Sequence, residues 1–390
     1  MDKNAQLDLK LLPKELNLIL YIMKVKNHLN EQVNTECIDW DLFEKLVIHH
    51  RIYPLIYKNI KDVRFIPLHV KEKLKKLYKR NTFQMLYLSA KMEEVNKVCI
   101  ANDIPVLFLK GPVIASELYG NISLRTSADL DILIPINDLE KMENLLISTG
   151  YEKDDYIETV LSDWKWRHHH ITFFHPLKKI KVEVHWRLNP GPGKEPRFKE
   201  LWERKRISKE FTNSPIYFLG QEDLFLFLVM HGSRHGWSRL RWLIDIHQML
   251  KQELNWETLN NLLKRFYSQH IAGQAIVLCN ELLNAKVPAS KFPSMNKKKS
   301  WRLAQEAIFY VERMVNLHNY PLPEEVHLHH KRHIVSLMSI HQKALFTMSS
   351  MYPYYTDAKT LPLPKKIHFL YFVLRPFLWI WRKTRNHAMS

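Results

Sequence analysis

The residues that most restrict how this chain folds are Asp129-Leu130-Asp131, two acids inside an apolar run that closes at Pro135. A strand alternates its side chains, so Asp129 and Asp131 share one face while Leu130 and Ile132 take the other. Paired carboxylates repel unless a cation lies between them. Oxygen ligands of this kind suit Mg²⁺, which takes one or two carboxylates together with substrate phosphates. A lone D-x-D is also what a plain strand edge with two solvated acids looks like. Its surroundings argue for more. An earlier apolar run, residues 104–109, ends in Lys110-Gly111, just ahead of a short helical stretch at 112–119. Backbone N–H groups at such a turn and helix start can hold phosphate.

A third acid lies downstream. Residues 179–186, KIKVEVHW, place Ile180, Val182, Val184 and Trp186 on one face and Lys181, Glu183 and His185 on the other. Residues 170–174 read as a partner strand joined through a Pro176-Leu177-Lys178 turn, an antiparallel hairpin. Paired beside the strand of Asp129 and Asp131, the hairpin brings Glu183 into a three-carboxylate cluster. Such a cluster could hold two cations in the clamp used for in-line phosphoryl transfer. His185, on the Glu183 face, is a candidate base.

Lys110-Gly111, Arg125, Asp129-Leu130-Asp131 and Glu183-Val184-His185-Trp186 together resemble the uncharacterised nucleotidyltransferase family of the polymerase-β-type superfamily. The resemblance implies a nucleoside triphosphate held at Gly111, with Lys110 and Arg125 neutralising its charge. It implies Asp129, Asp131 and Glu183 as catalytic metal ligands, with Mg²⁺ or Mn²⁺ as cofactor. Pro112 stands where the superfamily usually has Ser, and the interval from Gly111 to Asp129 is longer than usual. The resemblance extends weakly through Asp245 and says little about residues 1–100. Family members are associated with tailoring of lasso peptides and of other small acceptors. That implies an anionic small-molecule or (phospho)peptide acceptor offering a hydroxyl or phosphate.

The length, 390 residues, suggests two or three domains, and the 9 glycines argue against an all-β fold. The expected class is α+β: a small mixed β-sheet nucleotidyltransferase core flanked by N-terminal and C-terminal helical regions. Residues 1–100 read as a helical cap, with helices at 13–28, at 40–60 broken by Pro54, and at 70–98. Residues 101–190 form the core, with a further helix at 137–149 capped by Asn137. In the tract WKWRHHH, His168, His169 and His170 cannot all face one metal along a strand. The Pro/Gly-rich connector at 189–196 is the clearest boundary signal, and 191–390 read as a helical domain completing the cleft.

In that half, residues 222–231 suggest a helix buried on most sides, then a bend at 232–237 and a second helix from 238. The bend region carries His231, Arg234, His235, Arg239, Arg241, Trp242 and Asp245. His231 and His235 have zinc-protease spacing, but Gly232 replaces the required glutamate. Two readings stay open. One is an anion pocket in which His231, His235, Arg239 and Trp242 bind substrate. The other is a buried polar network in which Asp245 pairs an arginine. His327, His329, His330 and His333 read as a solvated basic face. The apolar stretch 367–381, split at Arg375-Pro376, is either a docked helix or an anchor at a membrane surface.

The formal charge of +18 favours anionic partners. Nucleic acid is not among those expected. Cys37, Cys99 and Cys279 fit a reducing cytoplasm, and the N-terminal residues lack a signal-peptide pattern. The expected activity is metal-dependent transfer of a nucleotidyl group from a nucleoside triphosphate. A metal-dependent glycosyltransferase using a nucleotide sugar is one alternative. A non-catalytic nucleotide- or nucleic-acid-binding protein is another, against which the intact Asp129, Asp131 and Glu183 count.

Overall fold

The computed structural model describes residues 6–25, 35–154, 157–208, 214–319 and 321–388. Seven strands form one mixed sheet: β1 Leu107–Phe108, β2 Asp129–Leu133, β3 Glu152–Lys153, β4 His170–His175, β5 Ile180–His185, β6 Arg206–Ser208 and β7 Ile216–Phe218. Their spatial order is β3-β4-β5-β2-β1-β7-β6. The expected hairpin is present, β4 and β5 pairing antiparallel, and β5 lies parallel to β2. The register sets Asp129 against Lys181, Asp131 against Glu183 and Leu133 against His185. One face of the strand pair is therefore polar. The other carries Leu130, Ile132, Val182 and Val184, all fully buried. This alternation holds the register, because a slip by one residue would drive the acids into the core.

Helices flank the sheet, as expected of the α+β class with a mixed sheet between helical regions. The helix Leu68–Ala101 is the longest described and presents Val70, Leu74, Met85, Leu88, Met92 and Cys99 to the core. Its Asn81 donates from Nδ2 to the carbonyls of Ser123 (2.8 Å) and Arg125 (3.3 Å), which fixes the approach to β2. The expected helix at 13–28 is observed as Lys14–Val25, and positions 26–28 lie outside the described residues. The break near Pro54 falls at Arg51, which has φ +55, and Pro54 sits in the first turn of Tyr53–Ile60. A missing N–H costs nothing there. Asn137 lies in the 3-10 turn Ile136–Asp138, and the α-helix Leu139–Ser148 starts just after it. Most buried apolar side chains form one continuous cluster from Leu7 to Leu337, and Tyr310, Val315 and Leu317 form a smaller second one.

The first helix of the C-terminal half runs further than the sequence suggests. It spans Gln221–Arg234, straight through Gly232, and the next is Leu240–Met249. Gly232 packs under the indole of Trp237, where a Cβ would overlap the ring. It is a packing glycine, not a hinge; the turn is made by Gly236 with φ +61 and Trp237 with φ +55. The histidines at 327–333 are not simply a solvated face. His333 is buried and its Nε2 lies 3.0 Å from the Ser233 carbonyl; His330 meets Tyr310 Oη at 3.0 Å and His329 the Glu306 carbonyl at 3.0 Å. They tie the helix Glu324–Leu337 to the helices beneath it.

The C-terminal helix Tyr371–Ala388 is not split at Arg375-Pro376: Pro376 is accommodated within it. Tyr371 and Leu378 are buried, and Arg375 and Arg382 grip the buried Asp357 at 2.6 Å each. The helix is thus docked along one edge. Phe369, Val373, Phe377, Trp379, Ile380 and Trp381 remain exposed. No described helix is long and apolar enough to cross a membrane.

Candidate active site

The polar face of β2 and β5 forms the floor of a cavity of about 530 Å³. Asp129, Lys181, Glu183 and His185 line it from the strands, and Lys110 from the turn after β1. The turn itself needs glycine: Gly111 has φ +86, which only glycine adopts without strain. Pro112 then opens the helix Pro112–Tyr119. The opposite wall comes from the helical half, through Phe227, His231, Arg234, His235, Arg241 and Trp242.

Asp131 lies at the back of this floor and is almost fully buried. Its Oδ1 accepts from Lys110 Nζ at 2.9 Å and lies 3.4 Å from His185 Nε2. Its Oδ2 is buried with no hydrogen-bond partner. Glu183 pairs with Lys181 at 2.6 Å and lies 3.7 Å from His185 Nε2. Asp131, Glu183 and His185 each offer a ligand atom within 4.8 Å of the others. This tight group is two acids and an imidazole, with Asp129 beside it on the same strand face rather than inside it.

The electrostatics separate the acids. Burial, and then the charge of Asp131, push the Asp129 carboxyl above the ordinary range. Burial also works against the charged form of Asp131, but Lys110 and His185 outweigh it and hold the carboxyl below the ordinary range. For Glu183 burial is likewise overcome, by His185, His170 and Lys181, and its carboxyl is held well down. His185 is the converse: burial opposes its charge, yet Asp131 and Glu183 raise its pKa. Without a metal, the two acids thus favour the charged form of His185.

Around this centre the other imidazoles are neutral. His169 and His170 come together with His185 in a second group of three, their own ring nitrogens 3.1 Å apart. The run 168–170 does not lie along one strand: only His170 starts β4, while His169 precedes it. Burial lowers His170 to about 4. His231 and His235 form a ring cluster with Trp242, centroids 4.6 to 5.5 Å apart, and burial together with neighbouring cations keeps both well below the ordinary value.

Two residues expected at the substrate lie elsewhere. Arg125 is buried, with Nε and Nη2 each 3.0 Å from the Asp245 carboxylate, which also accepts from Tyr119 Oη at 2.7 Å. Its charge is met by Asp245, and it is not part of the cavity lining. Arg239 donates to the His49 carbonyl at 2.6 Å and to Asn316 at 3.3 Å, so it ties the end of the helix Trp40–His49 to the loop at Asn316 and is not part of the cavity lining. Asp245 does pair an arginine in a buried network, while His231, His235 and Trp242 face the cavity.

Arg51, Lys181 and His318 also line the cavity and were not among the expected residues, whereas Arg234 and Arg241 belong to the stretch 234–242 expected to line the cleft. Lys181 was legible by its alternation with Glu183, and Arg234 and Arg241 by their place among the bend cations. Arg51 and His318 carry no local signal. Chemically, the cavity joins an acidic floor with an orphaned carboxylate oxygen to cationic walls, an arrangement suited to a metal-bound polyphosphate.

Residues 36–284, more than half of the chain, match the family described as uncharacterised nucleotidyltransferase. No curated protein matches the chain in sequence. Among solved structures it is similar to the crystal structure of ANT(2")-Ia in complex with adenylyl-2"-tobramycin. That match has 10% identity and a TM-score of 0.34, over 47% of this chain and 98% of that one. The solution structure of the antibiotic-resistance factor ANT(2'')-Ia matches with 10% identity and a TM-score of 0.35, over 49% and 95%. An antigenic nucleotidyltransferase-like protein from Paracoccidioides brasiliensis matches with 15% identity and a TM-score of 0.31, over 53% and 96%.

Proposed function

The chain belongs to the uncharacterised nucleotidyltransferase family, and from that premise we propose that it transfers a nucleotidyl group from a nucleoside triphosphate to a small-molecule or peptide acceptor. The acceptor offers a hydroxyl or phosphate oxygen. The observation that carries this reading is the register of β2 and β5, which sets Asp131 against Glu183 beneath a cation-walled cavity.

The donor set fits a divalent cation. Asp131 Oδ2 is buried without a hydrogen-bond partner, and the neighbouring Glu183 and Asp129 add oxygen ligands on the same strand face. Asp129, Asp131 and Glu183 would hold Mg²⁺ or Mn²⁺. Such an ion supplies charge neutralisation at the phosphates and lowers the pKa of a bound hydroxyl. The residues of the chain do the rest. Lys110, anchored on Asp131, holds positive charge beside the Gly111 turn, where the triphosphate is placed. Arg234 and Arg241 extend that charge along the opposite wall, and the faces of Trp242 and His235 offer a surface for a base or sugar. The acceptor oxygen forms its bond to the α-phosphorus as the bridge to the β-phosphorus breaks, and pyrophosphate leaves with that electron pair; a hydroxyl acceptor gives its proton to water, whereas an ionised phosphate acceptor has none to lose. Residues 1–100 serve as a cap and 191–390 complete the cleft, both acting with the 101–190 core.

The test is to incubate the protein with each labelled nucleoside triphosphate and each nucleotide sugar, with Mg²⁺ or Mn²⁺, and to measure binding and pyrophosphate release. Metal-dependent triphosphate binding that is lost in Asp129→Asn supports the reading. Retention of nucleotide sugars with indifference to triphosphates would replace it by glycosyl transfer.

A further inference from the structure

A second cavity, of about 340 Å³, adjoins the first, and Pro190 and Arg234 line both. Its character differs. Met230, Ile271, Ile334, Leu337, Met338 and Phe346 supply an apolar lining. The volume is in the range of small-molecule sites.

One wall is the Pro/Gly-rich connector, which here is a built structure. Arg187 donates to the carbonyls of Gly191 (2.6 Å) and Gly193 (3.0 Å) and pairs with Glu195 at 2.8 Å. Glu195 in turn accepts from the Asn189 N–H at 2.9 Å. Opposite, the Arg167 guanidinium stacks on Tyr354, 3.9 Å from the ring centroid, and its charge is met by Asp163. The wall is therefore rigid before anything binds, which lowers the cost of binding.

Arg234 stands where the two cavities meet. Its Nη1 is buried with no hydrogen-bond partner, and no carboxylate among the described residues lies within ion-pair distance of it. The residue is half-buried and Glu195 and Glu183 act on it only from beyond ion-pair distance, so a bound anion stabilises its charge. The guanidinium fork matches phosphate in particular.

Resting on the nucleotidyl-transfer reading, we propose that the acceptor is an amphiphilic phosphate monoester. Its apolar body fills the second cavity, and its phosphate sits on Arg234, reaching into the first. The ionised phosphate oxygen supplies the electron pair for the bond to the α-phosphorus, so no proton has to be removed. The bridge to the β-phosphorus breaks, and the products are a diphosphate diester and pyrophosphate.

The test uses the full chain and calorimetric binding of octyl phosphate, below its micelle concentration, against ethyl phosphate. Octyl phosphate is expected to bind at least tenfold more tightly, since several methylenes leave water. Met338→Trp and Gln342→Trp, both partly exposed positions on this wall, should each erase that gain and leave ethyl phosphate unchanged. Arg234→Gln should weaken both ligands about tenfold and keep their ratio. Equal affinity of the wild type for both phosphates overturns the proposal. So does a chain-length gain that survives both tryptophan variants, because the alkyl chain then binds elsewhere. Binding of a non-hydrolysable nucleoside triphosphate, measured on the same samples, separates the two ideas. Its failure sinks nucleotidyl transfer, whereas triphosphate binding without the chain-length gain sinks the amphiphile alone.

Discussion

Two aspartates two positions apart do different structural jobs, and their substitutions should part company. Asp131 is the buried partner of Lys110 and of His185. Replacing it with Asn leaves both cations facing a neutral amide, so Asp131→Asn should cost about 1–3 kcal/mol of stability. Asp129 is the acid that its surroundings disfavour as an anion. Asp129→Asn removes that repulsion and should leave stability unchanged or slightly raised. Both variants should lose turnover. Urea titrations of the metal-free proteins check the difference; equal losses of stability would mean that Asp129 has a cationic partner as firm as Lys110.

At the level of elements, the strand faces were legible because period two is strict: the spacing of Asp129, Asp131, Glu183 and Lys181 alone places them together once β2 and β5 are neighbours. The helical contributions were not, because tertiary pairing is invisible to local pattern. Arg125 looks like a phosphate ligand until its partner is seen 120 positions away in Asp245. Gly232 looks like a helix breaker until Trp237 is seen resting on it. The Arg125–Asp245 pair joins the lead into β2 to the helix Leu240–Met249, with side chains 1% and 0% exposed. Asp245→Asn leaves a buried guanidinium without its counter-ion and should cost about 3 kcal/mol. A thermal melt should show this as a loss of several degrees, restored by no phosphate ligand, because Arg125 does not reach the cavity. The C-terminal helix presents the opposite case, an element whose outer face has nothing to bury against. Phe377, Trp379 and Trp381 are 68%, 53% and 57% exposed, with basic Lys383 beside them. Such a face suits the surface of an anionic membrane. Phe377→Ser with Trp381→Ser should reduce co-sedimentation with phosphatidylserine vesicles at least tenfold and leave the melting temperature unchanged. Equal sedimentation of variant and wild type would remove the membrane surface as a partner.

The whole molecule carries +18 and keeps many of its histidines neutral. Burial lowers His49, His170, His270 and His330 to about 4, and holds His50, His231 and His235 well below the ordinary value of 6.5. Each of these takes up a proton near pH 6.5 when the chain unfolds but not while it is folded. Below that pH the unfolded state binds more protons, so stability falls as pH falls, from 6.5 down to about 4 where the folded-state groups begin to charge. His185 runs the other way: its raised pKa adds stability below 6.5 that is lost as pH rises through the folded value. Asp129, Glu195 and Asp223 share that sign, but their ordinary values of 3.8 and 4.5 put them at the acid end of this range, and the more numerous lowered histidines leave the first trend dominant. The metal-free protein should therefore melt roughly 10 °C lower at pH 5 than at pH 7.5. His231 and His235 add a spatial condition, since both line the cavity together with Lys110, Arg234 and Arg241. An anion bound in the cavity favours their charged forms, so its binding takes up protons and tightens as pH falls. The rise in melting temperature produced by inorganic triphosphate should then be larger at pH 5.5 than at pH 7.5. A rise that is the same at both values, beside an unchanged fall of the free protein with acid, would place the acid-sensitive histidines outside the anion site.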